Sequence, residues 1–350
     1  MTRLFVIILF VVVIISVVLV GDIFGQIYLS FPKSDALAET FVIESGEGVN
    51  QISQHLKDQE FIKSMFVFES YIWWRGLGSK FMAGNFELKK GMSVNKIVRL
   101  LTTQPAQNEK EITVIEGWSL RDFGYYLENQ GMFQAEELHE LAGFPATDYR
   151  GLRALTRPKD FSDEYNFLDD KPAYVGLEGY LFPDTYRIFA DATVEDIVRK
   201  MLNNFDKKLT PELRVEISRQ GKSIFDIIIM ASILEQEVQS EKDKKLVADL
   251  FWRRLDAGMA LQADSTVNYV TGGDRAQATY KDLEVDSYFN TYKHRGLPLG
   301  PICSPGLTSI KAAIYPTSNN SWYFLTTPEG QVIYSGDFEE HKDNRAIYLQ

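Results

Sequence analysis

Met230-Ala-Ser-Ile-Leu-Glu-Gln-Glu237 closes a run, Ile224 to Leu234, that is almost wholly apolar. A helix that is apolar on most of its faces belongs in a core. Ser223-Ile-Phe-Asp226 opens it with a Ser-x-x-Asp capping box. Two carboxylates then follow abruptly, Glu235 and Glu237. At the edge of a buried helix, desolvation disfavours a charged carboxylate and raises its pKa. A glutamic acid protonated near neutral pH is a general acid. The two glutamates are two positions apart, so on a helix they point about 200° away from each other. One can face a substrate while the other faces elsewhere. They do not form an acid pair acting on one bond.

Working outward, the 350 residues suffice for two or three domains, and the composition is globular, with 45% apolar, 13% aromatic and 24% charged residues. The N-terminus differs. Leu4 to Val20 is an unbroken lipid-soluble run, with Arg3 before it and Asp22 after Gly21. Its length corresponds to about 26 Å of helix, near the lower limit for a span, and Ile23, Phe24 and Ile27 extend it. Gly21 and Gly25 make a poor small-x-small cleavage site, so an uncleaved anchor is expected rather than a removed signal peptide. Arg3 is the only charge before the run, which places the N-terminus in the cytoplasm and the rest of the chain outside the membrane.

The net charge of −11 argues against a nucleic-acid partner, which calls for a basic face. Lys242, Lys244 and Lys245 alternate with acids and read as a solvated helix face. Cys303 is the only cysteine, so no intrachain disulfide forms.

The pattern predicts an α+β protein. Residues 1–29 are the cytoplasmic tip and anchor, and 30–39 a linker. Residues 40–108 hold a small β-α-α-β-α unit: a strand at Phe41, helices from Val49 and from Phe61, a strand at Ala83–Leu88, and a helix capped by Ser93. A larger mixed domain spans 109–350. It begins with a strand at Glu111–Ile115, the turn Glu116-Gly-Trp-Ser119 and a helix from Leu120 to Asn129. Thr193 caps a helix through Phe205, and another runs from about Lys242 to Ala257 with Gly258 as its stop. Beyond it a long loop-rich stretch is expected, then a helix from Ser304-Pro-Gly306 and a closing hairpin at Trp322–Leu325 and Val332–Tyr334.

Carboxylate chemistry is what the motifs leave. There is no Gly-x-Ser-x-Gly elbow, no His-Glu-x-x-His and no phosphate-cradling glycine loop, and the four histidines are scattered. Cys303 reads as a small loop residue. Tyr180, Phe182, Tyr186, Tyr288, Phe289 and Tyr292 lie among Asp184, Asp264 and Asn290. Aromatic faces stack on sugars while amides and carboxylates bind hydroxyls, so the pattern suits a glycan, with core packing as the alternative for these rings. Sugar transfer typically relies on a protonated carboxylic acid.

Taken in order, these segments resemble the endolytic murein transglycosylases of the YceG-like family. The resemblance rests on the N-terminal run, a LysM-like unit with Ala83-Gly-Asn-Phe86, then Glu116-Gly-Trp-Ser119 and Glu178-Gly-Tyr-Leu-Phe-Pro-Asp-Thr-Tyr186. Ala231-Ser-Ile-Leu-Glu-Gln-Glu237, Leu261-Gln-Ala-Asp264, Asn290-Thr-Tyr292 and Gly296-Leu-Pro298 complete it. It implies a membrane-anchored lyase that cuts nascent peptidoglycan strands, leaves 1,6-anhydro-N-acetylmuramic acid ends and takes no cofactor or metal. The second acid of the motif, Glu237, would be catalytic, with Glu235 the fallback. Tyr180, Asp184, Gln262, Asp264, Asn290 and Tyr292 would bind substrate, and peptidoglycan synthases would be partners. A non-catalytic cell-wall scaffold and a hydrolytic muramidase are the alternatives. The chain departs from the family pattern at Ser265, where proline is usual, at Tyr288-Phe289 in place of Pro-Tyr, at Leu299, and at Cys303-Ser304.

Overall fold

A computed structural model of the chain describes residues 10, 16–18, 20–29, 39–102, 109–151, 157–189, 192–273 and 278–349. It divides into two compact units, Met1–Lys110 and Glu111–Gln350. Most of the expected anchor, Leu4 to Val20, and of the linker lies outside the described residues. Among the described residues no helix is long and apolar enough to cross a membrane.

In the first unit, β1 (Glu39–Ile43) is followed by α1 (Val49–Asp58) and α2 (Met65–Arg75). Next come β2 (Gly84–Leu88) and α3 (Val94–Thr102). β1 and β2 pair antiparallel, with Phe41 opposite Phe86. The period-two pattern puts Phe41, Ile43, Phe86 and Leu88 on one buried face. The helices close that face with Ile52 and Leu56, with Val67, Phe68, Tyr71 and Ile72, and with Ile97, Val98 and Leu101. The Ser64 hydroxyl caps α2, and Gly76, at φ 64°, ends it in the left-handed conformation that glycine adopts without penalty. Residues 20–28 are helical, and Ile27 packs onto this core.

The second unit begins with β3 (Glu109–Thr113), which crosses the boundary, and continues through α4 (Leu120–Asn129) and α5 (Ala135–Ala142). β4 (Thr185–Phe189), α6 (Val194–Lys208), α7 (Pro211–Arg219), α8 (Ile224–Glu237) and α9 (Glu241–Asp256) follow. α10 (Asp264–Thr271), α11 (Tyr280–Leu283), α12 (Leu307–Ile314), β5 (Tyr323–Thr326), β6 (Val332–Ser335) and α13 (Phe338–Tyr348) complete it. β3 pairs with β4, and β5 with β6 as an antiparallel hairpin.

α8 is the axis of this unit. Every residue from Ile227 to Leu234 is buried, and Ser223 and Asp226 form the expected capping box. α12 and α9 pack against it. The loop before α12 is tied on by polar bonds: Ser232 Oγ accepts from Ile302 N at 3.0 Å, and Cys303 Sγ donates to Ser232 O at 3.3 Å. The Glu178–Tyr186 segment passes beside α8 at Gly179. There φ is +84°, and a Cβ would meet Pro301 and Ile228 within 3 Å. Only glycine satisfies both constraints.

Two expectations need correction. The stretch after Gly258 is not all loop, since α10 and α11 lie within it. Lys244 is not on a solvated face. It is buried and paired with Glu235, because α9 turns that side toward α8.

Candidate active site

The end of α8 separates its two glutamates as the 200° spacing requires. Glu235 points into the packing between helices. Its Oε1 lies 2.7 Å from Lys244 Nζ, and its Oε2 accepts from Gly306 N at 2.9 Å and Ser309 Oγ at 2.7 Å. One carboxylate thus joins α8, α9 and the N-terminus of α12, where a negative charge is stabilised by the helix dipole. With three donors on its two oxygens and a side chain only 9% exposed, Glu235 is engaged in the helix packing.

Glu237 is the last residue of α8 and is half-buried. Its Oε1 accepts from Ser265 Oγ at 2.7 Å and, more weakly, from Ser265 N at 3.4 Å. Desolvation pushes its pKa up, the Ser265 hydrogen bond opposes that shift, and the Asp264 charge adds to it. The helix C-terminus acts in the same direction, since its partial negative charge disfavours another anion. The main chain there is pinned by Thr326 Oγ1, which donates to Glu237 O at 3.4 Å.

The facing wall is built on Leu261–Ser265. Asp264 Oδ1 accepts from Tyr292 OH at 2.8 Å. Burial raises the pKa of Asp264, with the Tyr292 bond opposing. Gln262 holds a left-handed backbone at φ 53° with its side chain exposed. A non-glycine residue there carries strain, which is often retained at functional sites. Ala263 N donates to Thr291 Oγ1 at 3.0 Å, and Thr266 Oγ1 lies 3.0 Å from the same oxygen. This buried threonine pair locks the two segments together.

Sequence reasoning missed Arg254. It is buried and donates to Leu261 O (2.6 Å) and, by two nitrogens, to Trp322 O (2.9 and 2.6 Å). Its charge favours the ionised form of Glu237. The guanidinium therefore joins the Leu261 segment to the start of β5 and gives the site a fixed cation. The only advance sign was an arginine in the last turn of an amphipathic helix, which is too common to single out. α13 also reaches this region: the ring of His341 stacks on Tyr323 at 5.3 Å, and the charge of Arg345 acts on Asp264 and Tyr292.

The structure thus gathers Glu237, Asp264 and Tyr292, with Gln262 exposed on the same segment as Asp264. Tyr180, Asn290 and Asp184 make their contacts within the protein. Tyr180 is fully buried, packed on Phe167 and Phe205, so its ring builds the core. Asn290 is fully buried too. Its amide donates to Leu283 O and Val285 O, and its oxygen accepts from Tyr292 N. It shapes the loop that carries Tyr292. Asp184 caps β4 through Thr185 N, accepts from Asn204 and pairs with Lys208 at 3.3 Å. Glu178 is buried, accepting from Leu120 N and from Tyr269 OH at 2.8 Å. Among the described residues no group of His, Cys, Asp and Glu is arranged to hold a metal.

Fold and site together define an α+β protein with a carboxylate-centred site at the end of a buried helix. The sequence pattern of the YceG-like family matches residues 41–347. This chain belongs to the YceG-like family. It is 32% identical over 309 residues to the endolytic murein transglycosylase of Bacillus subtilis, spanning 88% of this chain and 84% of that one. It is 28% identical over 346 residues to the enzyme of the same name from Streptococcus pneumoniae, spanning 94% of this chain and 62% of that one. The crystal structure of a YceG-like protein from Listeria monocytogenes superposes with a TM-score of 0.57 at 31% identity, covering 88% of this chain and 99% of that one.

Proposed function

We propose that this protein is an endolytic murein transglycosylase, a lyase that cleaves peptidoglycan glycan strands internally, with Glu237 as its acid and then its base. One observation carries the assignment of the residue. Glu237 is a half-buried carboxyl with a raised pKa and, among the described residues, no ion-pair partner, whereas Glu235 is engaged by Lys244, Gly306 and Ser309. The names of the relatives support the reaction class.

Protonated Glu237 gives its proton to the glycosidic oxygen between N-acetylmuramic acid and N-acetylglucosamine. The C1–O bond breaks and the glucosamine leaves as an alcohol. The new Glu237 carboxylate takes the proton of the muramic acid C6 hydroxyl, whose oxygen bonds to C1. The product is a 1,6-anhydro end, and no water is consumed. Attack from within one sugar has a high effective concentration. One acid–base group suffices, because the nucleophile belongs to the substrate.

Arg254 stabilises the carboxylate that forms between the two proton transfers, and Ser265 orients it. Asp264, hydrogen-bonded to Tyr292, stabilises positive charge developing at C1, and Gln262 meets sugar hydroxyls. Leu4 to Val20 anchors the chain in the cell membrane with the N-terminus cytoplasmic, which puts the site on the same side as the glycan. The 40–108 unit is LysM-like and holds the strand, and peptidoglycan synthases supply it. Mass analysis of glycan digested by the purified protein tests the reaction. Anhydro ends support the lyase, reducing ends indicate a hydrolytic muramidase, and intact glycan indicates a scaffold.

A further inference from the structure

The first unit carries an aromatic surface that its own core does not use. α2 reads Met-Phe-Val-Phe-Glu-Ser-Tyr-Ile-Trp-Trp-Arg, apolar on two faces. One face, Val67, Phe68, Tyr71 and Ile72, is buried at 5% exposure or less. The other shows Phe66 at 73%, Trp73 at 85% and Trp74 at 66%. Exposed side chains of this size gathered on one face mark an interaction surface. Glu69, the only acid of the helix, is half-buried and accepts from Ser53 Oγ. Lys63, just before the helix, Arg75, its last residue, and Lys80, just beyond it, are exposed.

Its position says what covers it. The helical residues 20–28 continue directly from the apolar N-terminal run. Ile27 packs on the core of this unit, and the Tyr28 ring meets Tyr71 edge-on at 6.4 Å. Tyr71 in turn lies 6.2 Å from Trp74. The patch thus begins about one helical turn from where Ile27 and Tyr28 pack.

We propose that Phe66, Trp73 and Trp74 seat in the headgroup region of the bilayer, laying the 39–102 unit against the membrane surface. Tryptophan favours that region because its ring is apolar and its N–H is polar. Lys63, Arg75 and Lys80 match the anionic lipids there. The inference rests on the reading of Leu4 to Val20 as an anchor. It adds that glycan engaged by this unit is held close to the membrane, where new strands emerge.

The test uses the full chain in vesicles of phosphatidylethanolamine and phosphatidylglycerol. Cys303 is buried, so an added cysteine takes a fluorophore selectively. Labels are placed by Trp73→Cys on the patch and by Val13→Cys in the run, and quenched by lipids carrying nitroxides at shallow or deep positions. The proposal expects the label at 13 to be quenched by deep nitroxides and the label at 73 by shallow ones. Quenching at 13 with none at 73 overturns the proposal while leaving the anchor. No quenching at either position overturns the anchor reading and the proposal with it. A label at 73 that ignores lipid but responds to added glycan strands also overturns it, and makes the patch a sugar platform.

Discussion

Ser265 donates its hydroxyl proton to Glu237 Oε1 across 2.7 Å. A donor to a carboxylate stabilises the charged form and works against the burial that keeps the acid protonated. Ser265→Ala therefore raises the pKa of Glu237. The protonated acid then persists to higher pH, and the alkaline limb of the cleavage profile moves upward. Ser265→Pro moves it the same way, since the second position of α10 tolerates proline. The pH dependence of the cleavage rate on purified glycan checks this. A limb that stays or moves down contradicts the role given to Ser265.

The Glu235–Lys244 pair predicts a stability effect, not a chemical one. Both side chains are nearly hidden, at 9% and 5% exposure. Removing one partner of a buried pair costs about 3–5 kcal/mol, because the other charge is left unpaired. Lys244→Met should lower the unfolding midpoint strongly. Glu235→Leu combined with Lys244→Met should recover only part of the loss, because Gly306 N and Ser309 Oγ are left without their acceptor. Denaturant titration of the single and double variants reads the difference.

Gln262 separates backbone strain from side-chain contact. At φ 53° a glycine costs nothing, so Gln262→Gly should leave the fold as stable or stabilise it by about 1 kcal/mol. The exposed amide is lost in the same change. KM for glycan should rise while kcat moves less, which steady-state kinetics resolves.

Glu178 sets a pH dependence of folding. Burial pushes its pKa from the usual 4.5 up to about 7, against hydrogen bonds from Leu120 and Tyr269 that favour the anion. The folded state then holds a proton that the unfolded chain has released. Stability from this group is complete below about pH 4.5 and is lost as pH rises through about 7. Glu178→Gln should flatten the fall in unfolding midpoint between those limits. Thermal unfolding across that range measures it.

The helices with strong caps were legible in the sequence. The Ser223 and Ser119 boxes, and Thr193, mark their starts correctly, because a side-chain oxygen three residues before an acid is a local signal. α10 was not legible. It follows Ala263, which offers no side-chain cap, and it is held in place by the distant Thr291. At the site, helix geometry separated Glu235 from Glu237, yet the reason the first is unavailable lies in Lys244, Gly306 and Ser309, nine to 74 positions away. The burial of Tyr180 and Asn290 was not legible for a related reason. Both types bind sugars when exposed, and the tertiary packing that hides them here has no periodic signature.

The proposed roles give the chemistry to Glu237 and the architecture to Glu235. The most direct measurement is digestion of purified glycan strands by wild type, Glu237→Gln and Glu235→Gln, with circular dichroism confirming that each is folded. Glu237→Gln should lose about 10²-fold or more of the cleavage rate, the scale of a general acid–base group, while staying folded and binding glycan. Folded Glu235→Gln should still generate anhydro ends, with a lowered unfolding temperature. Cleavage abolished by Glu235→Gln and retained by Glu237→Gln would contradict these roles.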